Sequence, residues 1–217
     1  MSDRSAVVLQ GTCDPRFARV REVFEAAFER GDEIGAAVSV MRDGERVVDL
    51  WAGHADAART RPWERDTLVN VFSTTKGMTA LCAHRLVDQG KLDLDAPVAT
   101  YWPEFAAAGK GSVRVRSLLS HQAGLPAVRQ TLPPEAIYDW DRMTSVLAAE
   151  EPWWEPDTAH GYHAVTFGWL VGEVIRRVSG RSVGRYFREE IAGPLGAAFH
   201  IGCGPELDAR IADLVQG

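Results

Sequence analysis

A serine stands three residues ahead of a lysine in Ser73-Thr74-Thr75-Lys76, where the apolar run ending at Phe72 gives way to a helical pattern. From Met78 the apolar positions fall at Leu81, Cys82, Leu86 and Val87, with Ala80 and Ala83 between them, and Gly90 stands where a C-terminal cap belongs. In a helix that begins near Ser73, residues three apart share a face, so the hydroxyl of Ser73 and the amine of Lys76 come within mutual reach. Free N–H groups at a helix start favour developing negative charge, which suits the pair to acyl transfer with Ser73 as nucleophile. Alone this motif is weak, because serine at a helix start is more often a cap. No G-x-S-x-G occurs in the chain, which excludes the α/β-hydrolase elbow as the source of a nucleophile.

Other residues have a chemical and a bland reading side by side. His121, in a turn before Gly124-Leu125-Pro126, either serves the site or hydrogen-bonds the local backbone. His160 and His163 have the spacing of a metal pair but lack a Glu or Cys companion, so neither metal nor cofactor is expected. Trp153 and Trp154 either line an acyl pocket or fill core. Cys82 falls on the apolar face of its helix and reads as a small buried hydrophobe.

The elements that must position these groups follow from periodicity. Phe17, Val20, Val23, Phe24, Ala27 and Phe28 predict an amphipathic helix over 16–30, after an irregular lead-in at 1–15. Ile34–Met41 and Arg46–Gly53 flank Arg42-Asp43-Gly44-Glu45, which predicts a β-hairpin. Residues 54–66 read as loop, and 91–105 as loop with short turns. A short helix is expected at Arg116–His121, one helix at 139–150 among proline-rich loops, the clearest from Val165 to a cap at Gly180, and another over Ser182–Ile191. The tail 196–217 is weakly patterned.

The chain has 217 residues, 46% of them hydrophobic, enough for one large domain or two small ones. Its net charge of −6, without a run of Lys or Arg, argues against nucleic acid as a partner. No apolar stretch reaches the ~18 residues of a membrane span, and the N-terminal apolar segment is too short for a signal peptide. Three scattered cysteines, Cys13, Cys82 and Cys203, read as free thiols. A soluble, cytoplasmic protein that takes a small molecule is expected.

Two further segments give Ser73-Thr74-Thr75-Lys76 a context. Leu118-Leu119-Ser120-His121-Gln122-Ala123-Gly124-Leu125-Pro126 resembles the Leu-Leu-Thr-His-x-x-Gly-Leu segment of the serine β-lactamase-related family. Trp154-Glu155-Pro156-Asp157 followed by Gly161-Tyr162-His163-Ala164 is similar to its Pro-Gly segment and its catalytic Tyr-x-Asn element. Order and spacing agree from about Phe17 onward, and within the family the chain is most similar to class C β-lactamases and family VIII carboxylesterases. The resemblance implies an α+β, β-lactamase/transpeptidase-like fold: an antiparallel sheet with flanking helices beside a helical region. It implies Ser73 as the acylated nucleophile, Lys76 assisting its deprotonation and Tyr162 as general base; Trp153, Trp154, His121 and Ala164 stand beside them as candidates for contact with the substrate. A free phenol titrates near ~10, so a base at Tyr162 needs its pKa lowered, and Lys76 is a natural cause.

Two departures from the family's pattern matter. Ala164 replaces an asparagine that in β-lactamases helps hold the substrate's acylamide group, which points to small carboxylic esters; β-lactamase or D-alanyl peptidase activity is the alternative. No match for the third motif, Lys-Thr-Gly or His-x-Gly, occurs in 180–217. That strand supplies an oxyanion-hole donor in the family, and losing one such donor costs about 10²–10³ in rate. The expectation is therefore the N-terminal portion of a single domain: a hairpin and nucleophile-helix part at 16–90, a mainly helical part at 91–180, and a return at 181–217 towards missing strands. The sheet would be incomplete and its edge open. Such a chain, if catalytically impaired, would need the missing segments, an oligomer or a complementing chain.

Overall fold

A computed structural model describes residues 7–215. The chain divides into two compact units: residues up to Asn70 with those from Cys203 onward, and Val71–Gly202. This boundary differs from the division at 16–90, 91–180 and 181–217. It falls just ahead of Ser73, and of the segment 181–217 only the part from Cys203 onward groups with the first unit.

In the first unit, strand β1 (Gln10–Cys13) precedes helix α1 (Ala18–Arg30) and the hairpin β2 (Gly35–Arg42) and β3 (Glu45–Gly53). Asp43 and Gly44, at φ 50° and 82°, make the two-residue turn whose twist matches that of the paired strands. The sheet has the order β1-β3-β2 and is antiparallel throughout. Strand β1 lies in what the sequence predicts as irregular. Its residues, Gln-Gly-Thr-Cys, carry no apolar alternation, and the segment is a strand because its backbone completes the ladder of β3. Gly11 is required there, since a Cβ would lie 1.9 Å from the Asp49 carbonyl oxygen. Val47, Val48 and Leu50 form the buried core against Val20 and Phe24 of α1. The tail is more ordered than its pattern suggests: Pro205–Arg210 forms a 3₁₀ turn, and Leu68 pairs with Ile211.

The second unit is helical. Helix α2 (Thr74–Asp88) is followed by 3₁₀ turns at Val98–Thr100 and Pro103–Ala106, then α3 (Val115–Leu119), α4 (Trp140–Ala149), α5 (Phe167–Ser179) and α6 (Val183–Phe187). The helix expected over Ser182–Ile191 is α6 continued by a wider turn at Arg188–Ala192. Helix α5 is the hub and packs against α2, α3, α4 and α6. Leu170, Val171, Val174 and Ile175 lie in one core with Cys82, Leu86 and Leu147. Gly172 lets α4 approach, since a Cβ there would stand 2.7 Å from the Trp140 ring. The charges of this unit are placed with care. Fully buried Lys110 donates to the carbonyl oxygens of Ala107, Ala148 and Glu150, closing the C-terminal end of α4.

Candidate active site

Ser73 opens α2 in helical geometry, and its side chain makes no capping hydrogen bond. The bland role for a serine at this place is therefore vacant, and the hydroxyl faces other groups. Phe72 before it has φ 44°, a left-handed conformation rare for a bulky residue and typical of strained functional turns. Lys76, one turn along, points its Nζ to within 3.1 Å of Ser73 Oγ and donates a 2.7 Å hydrogen bond to the carbonyl oxygen of Ala164.

The third group comes from a distant loop. Tyr162 is half exposed, and the Lys76 Nζ lies 4.9 Å from its ring centre. Hydrogen bonds with Ser73 and then Lys76 pull the phenol below its ordinary 10.0, with Lys76's charge adding in the same sense. Ser73, Lys76 and Tyr162 thus meet in one place, all within the second unit.

The remaining sequence-derived candidates divide. His121, at φ 62°, lies against Tyr162 with ring centres 5.0 Å apart, and its Nδ1 accepts the backbone N–H of His163 at 3.2 Å. Ala164 meets the lysine through its carbonyl, not its side chain. Trp154 donates its indole N–H to Ala159 and underlies Gly161, where a Cβ would stand 2.5 Å from the ring. Trp153 faces outward at 49% exposure, its indole stacked under Arg129 and bonded to the Ala127 carbonyl. Neither tryptophan lines the cavity beside Lys76. His163 has both ring nitrogens engaged by main-chain groups, so it is not free to pair with His160 as a ligand.

That cavity, about 270 Å³, is walled by Phe72, Trp140, Val165, Phe167, Trp169 and Ile201, with Thr75, Lys76 and Thr79 on its α2 side. Sequence reasoning missed Trp140, which is held in the wall by a 2.7 Å hydrogen bond to the wholly buried carboxylate of Glu173. The signal was faint: an indole at the first turn of α4 and a lone acid inside the apolar face of α5. Asp157 holds the place of the family's Pro-Gly glycine and keeps a left-handed φ of 67°. It accepts from Ser117 Oγ at 2.6 Å and donates its N–H to Gln122, tying this loop to the turn that carries His121.

Comparison with known proteins gives the family. The Beta-lactamase family model matches residues 20–217. "Esterase/beta-lactamase LipL" of Mycobacterium tuberculosis is 42% identical over 208 residues, covering 95% of this chain and 48% of that protein. The crystal structure of a family VIII carboxylesterase superposes with a TM-score of 0.90 at 50% identity, covering 96% of this chain and 57% of the other. A penicillin-binding protein homologue from Caulobacter crescentus gives a TM-score of 0.92 at 47% identity, with 96% and 56% covered. The chain therefore spans about half the length of LipL. With its helices and three-stranded antiparallel sheet in the β-lactamase/transpeptidase-like arrangement, the chain belongs to the beta-lactamase family.

Proposed function

We propose that the chain carries the acyl-transfer centre of a serine hydrolase that cleaves small carboxylic esters through an acyl-enzyme. The observation that carries this reading is the meeting of Ser73 Oγ, Lys76 Nζ and the Tyr162 phenol, with the phenol's pKa lowered by the other two. In this reading the Tyr162 phenolate takes the Ser73 proton as Oγ attacks the ester carbonyl. The bond to the alcohol breaks, and the leaving oxygen recovers that proton from Tyr162. Lys76, braced by the Ala164 carbonyl, stabilises the charge that passes between the two oxygens. Water, deprotonated in turn by Tyr162, attacks the acyl carbon; the ester bond to Oγ breaks and Ser73 regains its hydrogen.

The apolar cavity walled by Trp140 suits the acyl group of such an ester. His121 and Trp154 then serve the turn that presents Tyr162, and Trp153 lies to the side. Ala164, with a methyl where β-lactamases of the family hold an amide, favours esters over lactams. The name of LipL, which joins esterase and β-lactamase, is the observation favouring lactam hydrolysis as a second reading. A third reading, a piece that needs further segments or a partner chain to hydrolyse anything, rests on the share of LipL that the chain spans. Three free cysteines favour the cytoplasm, and no helix among the described residues is long and apolar enough to cross a membrane.

A chromogenic short-chain ester and a cephalosporin, given to the purified chain, test these readings. An ester burst that Ser73→Ala abolishes, with a loss of about 10³-fold or more in turnover, is the expected result. Unchanged turnover in that variant removes Ser73 from the mechanism. Faster turnover of the cephalosporin favours the second reading, and inertness towards both the third.

A further inference from the structure

One fully buried titratable group has no part in the chemistry above. His163 has no exposed surface, and main-chain groups on two separate segments occupy its ring. Its Nε2 lies 2.9 Å from the backbone N–H of Leu125, and its Nδ1 lies 2.6 Å from the carbonyl oxygen of Gly161. An amide N–H only donates and a carbonyl only accepts, so these two contacts admit a single ring state: neutral, with the proton on Nδ1. Adding a proton, or moving it to Nε2, sets N–H against N–H at Leu125.

What the ring joins is the neighbourhood of the phenol. Gly161 precedes Tyr162, and His163 follows it. The backbone N–H of His163 goes to His121 Nδ1 at 3.2 Å, and the Leu125 carbonyl is held on its other side by Thr166 Oγ1 at 2.6 Å. Tyr162 itself is 51% exposed; its phenol meets Ser73 and Lys76, and the bonds made by its two chain neighbours constrain the backbone that carries it. The titratable groups that face the paired rings are His160, Lys76 and Tyr162. His160 and Lys76 oppose a further positive charge there, and burial acts in the same direction.

We propose that His163 is a positioning residue for the Tyr162 phenol, a permanently neutral imidazole that locks the 161–164 turn to the Leu125 peptide. The role rests on reading Tyr162 as the base of the site, and the test separates the two.

The 217-residue chain, labelled with ¹⁵N and with ¹³C at tyrosine Cζ, supplies both readouts by NMR without any need for turnover. The first is the His163 tautomer, expected to stay neutral with the proton on Nδ1 from pH 8 to below the ordinary histidine value of 6.5. The second is the titration of Tyr162, assigned with Tyr162→Phe, in the parent chain and in two variants. His163→Asn retains a donor where Nδ1 sits and loses the acceptor for Leu125; His163→Gln does the reverse. Tyr162 is expected to titrate below the ordinary phenol value of 10.0 in the parent. In either folded variant its acid constant should fall and its titration move up, towards an ordinary phenol. A parent His163 protonated on Nε2, or cationic at pH 7, overturns the proposal even if neither variant folds. A lowered parent titration that a folded variant leaves unmoved overturns the positioning role alone. An ordinary titration in the parent overturns both that role and the reading of Tyr162 as base.

Discussion

Ser73 and Lys76 are close because one helix turn makes them so, but their usefulness depends on what is left unmade. A serine whose hydroxyl capped α2 would be committed to the backbone; this one is not, and the left-handed Phe72 before it sets its approach. The two histidines beside Tyr162 show the opposite economy, with each nitrogen that bonds the backbone fixed in one role. Burial, followed by the neighbouring charges of His160 and Lys76 for His121 and of His160 for His163, holds both rings below 6.5. Above about pH 6.5 folded and unfolded chains both carry these rings neutral, and neither ring makes stability depend on pH. Below it the unfolded chain binds protons that the folded chain refuses, so stability falls as pH falls. Thermal unfolding followed between pH 7.5 and 5.5 should show the melting temperature dropping, and His163→Gln should make that drop shallower. An unchanged slope in the variant would show that His163 is not one of the groups responsible.

At the scale of elements, α5 decides the second unit. Its period gives it an apolar face, yet Glu173 on the same helix is as fully enclosed as Ile175, with no exposed surface. Burial pushes that carboxyl up, but hydrogen bonds from Arg176, Arg177 and Trp140 outweigh it and hold the group below its ordinary 4.5. The acid joins α5 to α4 and fixes the indole that walls the cavity. Removing it leaves two guanidinium groups facing each other and an indole N–H unpaired. Glu173→Ala should cost about 3 kcal/mol or more in urea unfolding, while Glu173→Gln, which still accepts from Trp140, should cost less. A loss of only a few tenths in the alanine variant would show that the network is solvated and contributes little.

Across the whole chain, acid residues exceed basic ones by six, with a pI near 5.5, and no basic stripe stands out. Like-charge repulsion keeps such molecules apart at neutral pH and fades near the pI. Light scattering against pH should therefore peak near pH 5.5 and fall at pH 7.5. A maximum well away from the pI would mean that contacts other than charge govern association. The two units differ in content. The catalytic candidates and the cavity lie in the helical unit, while the sheet and the returning tail form the other.

Local information was enough for the parts whose cause is local. The hairpin is written in Asp43-Gly44, α5 in the spacing of Leu170, Val171, Val174 and Ile175, and the Ser73–Lys76 approach in one turn of helix. The family motifs around His121 and Tyr162 marked a site, though not what each residue touches. Strand β1 escaped notice because its pairing with β3, not its composition, makes it a strand. Trp140 in the cavity wall and the clamp of His163 on Leu125 lie between groups 33 and 38 residues apart, joined by single hydrogen bonds. No spacing rule reaches that far. Sequence fixes which short-range geometries the backbone prefers, whereas bonds between remote segments exist only once packing has brought their partners together, and there the placement of the phenol was decided.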